Sequence, residues 1–365
     1  MRTQGRWGLG GAKGVASGGG GRRCVRREAA GDFVVAGDIG GTNARFQLWQ
    51  LGKRGTKELV LKMKYPTADF KTFVDALLQF DTDCKYEVGA GDFRPPQSSA
   101  FAAAGVVIDN RLCSMTNLDW TLCSSEIREK TSWKHARILN DFEAVGYGVL
   151  AMEEEDKHVV HGGSPQPKGP KVVLGPGTGF GQAQLFWNEK KEAYTVMPSE
   201  GAHGDFGPRG AKQRKLSEFV EKKMGYCELE HVCCGPGLEN IYEFLSTEGR
   251  GSSEGQPRKR APEISEAALG GTDDLAVEAV ELLLTILGQE AGNWGLRSLA
   301  RGGVYIAGGI TPKLLPILEN GCLKKAFLHK ESRFTKVLES VPLTLVTTDD
   351  IGLAGSCLYA SRALS

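Results

Sequence analysis

No apolar run in the 365 residues approaches the length needed to cross a bilayer, so no membrane partner is expected. Charge of one sign is also lacking. A formal net charge of +1 gives no electrostatic case for nucleic acid as a partner. Nine cysteines are present, one pair adjacent at Cys233-Cys234, yet there is no C-x-x-C spacing and no Cys/His set at zinc-finger intervals. Reduced, mostly structural thiols are therefore expected. Two common nucleotide signatures are missing as well: no G-x-x-x-x-G-K-[ST] occurs, and no G-x-G-x-x-G leads into a helix. What remains, 41% apolar and 24% charged, is the composition of a globular protein long enough for two domains.

Residues 1–31 differ from everything after them. Seven basic residues (Arg2, Arg6, Lys13, Arg22, Arg23, Arg26, Arg27) precede the first acid, Glu28, among many glycines. Such a segment resembles an organelle transit peptide, the alternatives being a disordered tail or a mispredicted start codon. The location expected is a plastid or mitochondrion in the first case and the cytoplasm otherwise.

The chain is organised around Gly37-Asp38-Ile39-Gly40-Gly41-Thr42-Asn43. It joins two strand-like runs, Phe33–Ala36 and Phe46–Trp49, and so reads as a hairpin with glycines at its tip. Paired glycines there are expected to supply positive φ and to let backbone N–H groups converge on a phosphate. Asp38 would then stand where a carboxylate holds a magnesium ion or its water shell. A second strand, turn and strand unit, Lys171–Leu174 into Gly175-Pro176-Gly177-Thr178-Gly179-Phe180-Gly181, echoes the first. Two such tips suggest a nucleotide held between two similar domains.

Between them, Ala136–Leu139 reads as a short strand ending in Asn140-Asp141, with a helix following. Those two residues suit an N-cap, and a carboxylate at the end of a parallel strand also lies where α/β sheets bind ligands. Asp141 could accept the proton of an attacking hydroxyl. The cluster Ser199-Glu200-Gly201-Ala202-His203-Gly204-Asp205 fits a polyhydroxylated ligand better than a metal, because no further ligand set completes a site. Phe70–Leu78, Leu216–Met224 and a long run from Leu275 to Leu299 have helical spacing. Gly303–Ile306 reads as a strand entering Gly308-Gly309, with Thr311 as N-cap and Pro312 at the first helical position. Residues 247–262 have the composition of an insertion. Leu343–Val346 is a strand, and the small-residue helix from Ile351 to Ala363 returns to the first domain.

In this order, GDIGGTNAR, LNDFEAV, GPGTGFG, SEGAHGDF, CGPGLENIY and VYIAGGITP resemble the bacterial-type ATP-dependent glucokinases of the sugar-kinase, Hsp70 and actin superfamily. The resemblance implies an α/β fold of two ribonuclease-H-like domains flanking a nucleotide and sugar cleft: a small domain over 32–150, joined by the helix at 350–365, and a large one over 151–349. It implies ATP and Mg2+, with glucose phosphorylated at its 6-hydroxyl. Gly37, Asp38, Gly40, Gly41, Thr42 and Asn43 match the first phosphate loop, Gly177, Thr178 and Gly179 the second, and Gly308 and Gly309 the adenosine motif. Asn117, Asn140, Asp141, Glu200, His203 and Glu230 match the sugar pocket, with Asp141 as general base. A homodimer is allowed for. Rival readings are a kinase of fructose or mannose, and a non-catalytic sugar sensor of the same fold. The zinc motif of the related repressor and open-reading-frame kinases is absent.

Overall fold

The computed structural model describes residues 32–52, 56–89, 91–248 and 259–364. The expectations for residues 1–31 and for most of 247–262 fall outside the described residues. The chain divides into two compact units. One runs through Glu153 and takes in Gly352 onward, and the other is Glu154–Ile351.

In the first unit β1 (Phe33–Ile39), β2 (Asn43–Leu51) and β3 (Lys57–Pro66) are followed by α1 (Phe73–Val88) and β4 (Ser98–Ala103). Then come β5 (Gly105–Ile108), β6 (Leu112–Met115), β7 (Thr121–Cys123), α2 (Ser124–Thr131), β8 (His135–Asn140) and α3 (Asp141–Val149). The main sheet has the order β3-β2-β1-β4-β8, and β5-β6-β7 form a small sheet beside it. Alternation along β1 explains why both faces are covered. Phe33, Val35 and Ile39 enter a core with Phe46, Phe73, Phe80 and Phe101, while Val34 and Ala36 enter a second one with Leu139 and Ala144.

The second unit holds β9 (Lys157–His161), β10 (Lys171–Pro176), β11 (Phe180–Asn188), β12 (Ala193–Ser199), α4 (Gly210–Met224), α5 (Gly235–Glu248), α6 (Ala261–Leu269) and α7 (Asp274–Arg297). It continues through β13 (Gly303–Ile306), α8 (Leu315–Leu318), α9 (Cys322–Leu328), α10 (Ser332–Glu339) and β14 (Leu343–Val346). Its sheet order is β12-β11-β10-β13-β14-β9. The last helix, α11 (Ile351–Arg362), packs Leu353, Cys357 and Ala360 into the second core of the first unit. Sheets of mixed direction covered by helices make this an α/β fold. No helix among the described residues is long and apolar enough to cross a membrane. The described cysteines are free thiols, most of them buried.

Helix limits follow local chemistry more closely than apolar spacing. The first helix begins at Phe73 because Thr72 and Asp75 form a reciprocal cap, Thr72 Oγ1 accepting from Asp75 N at 3.2 Å and Asp75 Oδ2 accepting from Thr72 N at 3.0 Å. Gly89, at φ 92°, ends it. Asp273 caps α7, accepting from the N–H groups of Leu275 and Ala276. Thr311 is not an N-cap. Ile310 holds that position, and the buried Thr311 hydroxyl instead donates to its own turn at Ala307 O. A side chain turned inward in this way cannot reach the N–H groups ahead of it.

Candidate active site

In the first unit β1 and β2 pair antiparallel through Ile39 and Ala44, and Gly40 N–H donates to Asn43 O at 3.0 Å. This leaves Gly41 and Thr42 as a two-residue tip. Thr67 braces the tip from behind: its Oγ1 donates to Gly41 O at 2.7 Å and its N–H to Thr42 O at 3.0 Å. With the carbonyls of the exposed Gly41 and Thr42 engaged by Thr67, the tip's remaining backbone polar groups are N–H donors, the kind of group an anion site uses. Asn117 packs on Gly41, whose Cβ would lie 3.4 Å from that of Asn117.

Two expectations change here. None of Gly40, Gly41, Gly177 and Gly179 has a φ in the left-handed region. Their value is therefore close approach rather than an unusual backbone. Gly37 is not at the tip; it is buried within β1, where a Cβ would sit 2.5 Å from the Phe101 ring. That makes it a packing residue. Asp38, the expected magnesium ligand, is ion-paired through Oδ2 to Arg45, its register partner on β2.

The three parallel strands β1, β4 and β8 end together, Ile39 beside Ala103 and Ala103 beside Asn140. Neighbouring strands are about 4.8 Å apart, so the glycine tip and Asp141 lie on one carboxyl edge about 10 Å from each other. Asn140 caps α3, its Oδ1 accepting from Phe142 N at 2.9 Å and Glu143 N at 3.2 Å. Asp141 is the first helical residue, and its Oδ1 also accepts from Phe142 N at 2.9 Å. Near it, burial and then the Asp141 charge push the Cys113 thiol up, which keeps that thiol neutral beside the carboxylate.

Glu143, in the first turn of α3, is 8% exposed and accepts from Asn110 Nδ2 at 3.1 Å. Burial raises its pKa to about 7, against the opposing pull of that hydrogen bond. The folded protein thus binds a proton that the unfolded chain releases near pH 4.5. Stability should fall as pH rises from there to about 7 and level off above, a loss of about 3 kcal/mol at 1.36 kcal/mol per unit. Glu143→Gln keeps the acceptor without the charge. We expect its thermal midpoint to exceed the parent's at pH 8 and to match it near pH 4.5; equal midpoints at both values would show that Glu143 carries no such penalty.

In the second unit β10 and β11 pair through Pro176 and Phe180, with Gly177 N–H donating to Gly179 O at 2.8 Å. Gly177 O accepts from Gly235 N, the first residue of α5, at 2.8 Å. Phe180 N–H donates to Glu230 Oε2 at 2.7 Å, and a Cβ on Gly179 would lie 2.7 Å from the same oxygen. The tip and the Glu230 carboxylate are therefore one piece. Gly308, at φ 94°, comes so close to β10 that a Cβ would sit 2.5 Å from Pro176 O, while Gly309 is open within 4 Å. The expected adenosine motif thus adjoins the expected phosphate tip.

Glu200 precedes a short 3-10 turn, Gly201–His203. His203 Nδ1 donates to Glu228 Oε1 at 2.9 Å, which leaves Nε2, 3.9 Å from Glu200 Oε2, as the edge available to a hydroxyl. His203, Glu228 and Glu230 place one ligand atom each within 4.8 Å of one another, a set that could hold a cation. Sequence reasoning saw no such completing set, because Glu228 lies 25 residues from His203. Hydrogen bonding to Glu228 raises the His203 pKa, against the smaller effect of burial. That pairing stabilises the fold below the ordinary imidazole pKa of about 6.5 and ceases to as pH climbs past the raised value. In Glu228→Gln the imidazole midpoint followed by NMR should drop toward about 6.5. An unmoved midpoint would separate Glu228 from the histidine.

The glucokinase family model matches residues 35–363. Residues 1–31 lie outside that match, so the transit-peptide expectation draws no support from it. A glucokinase from Synechocystis sp. is 35% identical over 361 residues, covering 92% of this chain and 99% of its own, and one from Chelativorans sp. is 33% identical over 330, covering 90% and 92%. Among solved structures, a glucokinase from an Antarctic psychrotroph superposes with a TM-score of 0.78 at 27% identity, covering 91% of this chain and 99% of that one. A glucokinase from Balamuthia mandrillaris, crystallised with glucose, shares the fold at 24% identity and a TM-score of 0.73, covering 91% and 94%. With both glycine hairpins and the strand-end carboxylate inside the matched span, the chain belongs to the glucokinase family.

Proposed function

We propose that this chain transfers the γ-phosphoryl group of ATP to the 6-hydroxyl of glucose, with Asp141 taking the hydroxyl proton. The observation that carries the reading is the shared carboxyl edge of β1, β4 and β8, with the braced glycine tip on one side of β4 and the helix-start carboxylate on the other, each about one strand's width from β4. Phosphoryl transfer demands positioning and charge neutralisation above all, and that edge offers both elements. On this reading Asn117 and Asn140 hold the sugar beside Asp141, while Glu200, His203 and the free oxygen of Glu230 meet its other hydroxyls. Gly40, Gly41, Thr42 and Asn43 receive phosphate, as do Gly177, Thr178 and Gly179. Gly308 and Gly309 admit the adenosine.

Asp38 fits a magnesium ion held through its water shell, since one carboxylate oxygen already serves Arg45. When bound, that ion neutralises charge on the phosphates. Each unit is read as a ribonuclease-H-like domain, a reading supported by the likeness to solved glucokinases. A coupled assay of glucose, fructose and mannose against ATP and magnesium tests the function. Glucose is expected to give the highest kcat/KM, because buried polar groups left unpaired by a wrong hydroxyl pattern can cost ~10⁴ in discrimination. Preference for another hexose, or no product from any, would overturn the assignment.

A further inference from the structure

At the amino end of β8, opposite the end that leads into Asp141, a cavity of about 400 Å³ is lined by Arg111, Arg128, His135 and Arg137, with Ser124 and Ser125. Its lining includes no acid. Three elements bring the guanidinium groups together, and hydrogen bonds tie those elements to one another. Ser124 N–H, at the start of α2, donates to Arg111 O at 2.8 Å. Ile138 N–H on β8 donates to Asn110 O at 2.9 Å, and Asn110 Nδ2 returns a bond to Ile138 O at 3.2 Å. The turn between β5 and β6, with Asp109 and Asn110 at φ 52° and 53°, is thus fastened on both sides, and Arg111 follows it directly.

The arginines are little used by the protein itself. Arg128 Nε donates to Ser124 O at 3.2 Å and Arg137 Nη1 to Ala136 O at 3.1 Å, both local backbone carbonyls, and Arg137 also bonds the Tyr359 hydroxyl, so none of these partners is an acid. Among the described residues no carboxylate forms a salt bridge with Arg111, Arg128 or Arg137. Three like charges around one hollow repel each other, a cost that an anion placed among them reverses. Planar guanidinium forks match the oxygens of a phosphoryl group, and serine hydroxyls can add further donors. The volume falls in the range of about 300 to 1,000 Å³ typical of small-molecule sites, so it has room for a carrier beyond the anion, against the side chain of Leu112.

We propose that this cavity is a second ligand site, which takes the phosphoryl group of a small phosphorylated compound such as a sugar phosphate. The site stands apart from the residues assigned to phosphoryl transfer, and its ligand is bound, not turned over. Cys123 supplies a reporter. It lines the cavity, is half-buried, and bonds Ser125 Oγ at 3.0 Å, an interaction that lowers its pKa and favours the reactive thiolate. Cys322 is also half-buried and serves as the internal control.

The experiment measures iodoacetamide labelling of both cysteines by peptide mass spectrometry on the full chain, in the presence of glucose 6-phosphate, inorganic phosphate or glucose. Glucose 6-phosphate at about four times its dissociation constant should slow Cys123 labelling about fivefold, with Cys322 unchanged and glucose without effect. Weaker protection by inorganic phosphate would assign part of the binding to the carrier; equal protection would assign it to the phosphoryl group alone. The double variant Arg111→Ser/Arg128→Ser should lose protection while phosphorylating glucose at the parent rate. Repeating the labelling in Asp141→Asn protein keeps the result independent of turnover, so failure of the catalytic assignment would leave it intact. Unprotected Cys123 at saturating ligand, or protection that survives in the double variant, would overturn the proposal.

Discussion

Asp141→Asn should lower kcat for glucose phosphorylation by ~10² to 10⁴, the usual worth of a positioned general base, and leave glucose binding measurable by calorimetry. The asparagine retains an oxygen for the Phe142 N–H that Asp141 Oδ1 now engages, so the start of α3 keeps that bond. Asn140, the actual cap, is untouched and continues to serve Phe142 and Glu143. Even Asp141→Ala should then cost no more than ~1 kcal/mol of stability, the scale of a charge at a helix N-terminus. What both variants lack is a group able to receive a proton as the hydroxyl attacks. An interaction made only in the transition state appears in kcat and kcat/KM together and spares ground-state binding. Turnover within a few-fold of the parent would remove Asp141 from the chemistry. Lost glucose affinity at unchanged kcat would recast it as a sugar-holding group.

The elements that carry the candidate site were readable because each is a short local code. Glycine tips between strand-like runs and a polar pair at a strand-to-helix junction name their own geometry, and both hairpins and the α3 start follow it. The Asp38–Arg45 pair was also within reach of the sequence. A two-residue tip at Gly41 and Thr42 fixes the register, and counting outward pairs residue 38 with residue 45. Contacts between distant segments were not legible. Thr67 braces the first tip from the far end of β3, Glu228 orients His203 from 25 residues away, and Phe180 holds Glu230 across 50. No periodicity records such pairings, since each depends on how whole elements pack. The arginine-lined cavity is the extreme case, assembled from a turn, a helix and a strand whose basic residues look like ordinary solvated charge when read in line.

Gly355→Ala should be the most damaging single-methyl change in the first unit. A Cβ at that position of α11 would lie 1.7 Å from Ala144 O and 2.6 Å from Gly148 N of α3, both backbone atoms with no rotamer to relieve them. The core around the crossing is rich in small side chains, Ala36, Ala100, Ala102, Ala144 and Ala360 among them, so the two helices have little slack in which to separate. Overpacking against flexible side chains costs about 1 to 3 kcal/mol; against backbone the helices must part, and the burial of Leu353 and Cys357 goes with them. We expect a loss above about 3 kcal/mol, read as a fall of roughly 6 to 12 °C in the thermal midpoint. Gly352→Ala, one turn earlier, is the matched control: its Cβ would meet the Asp38 carboxyl at an ordinary 3.6 Å, and it exchanges a poor helix former for the best one. That variant should unfold at or above the parent midpoint. A parent-like midpoint for Gly355→Ala would mean that α11 does not cross α3 at this glycine. If the midpoint does fall, the same change should weaken catalysis, because the helix forced aside is the one that begins with Asp141.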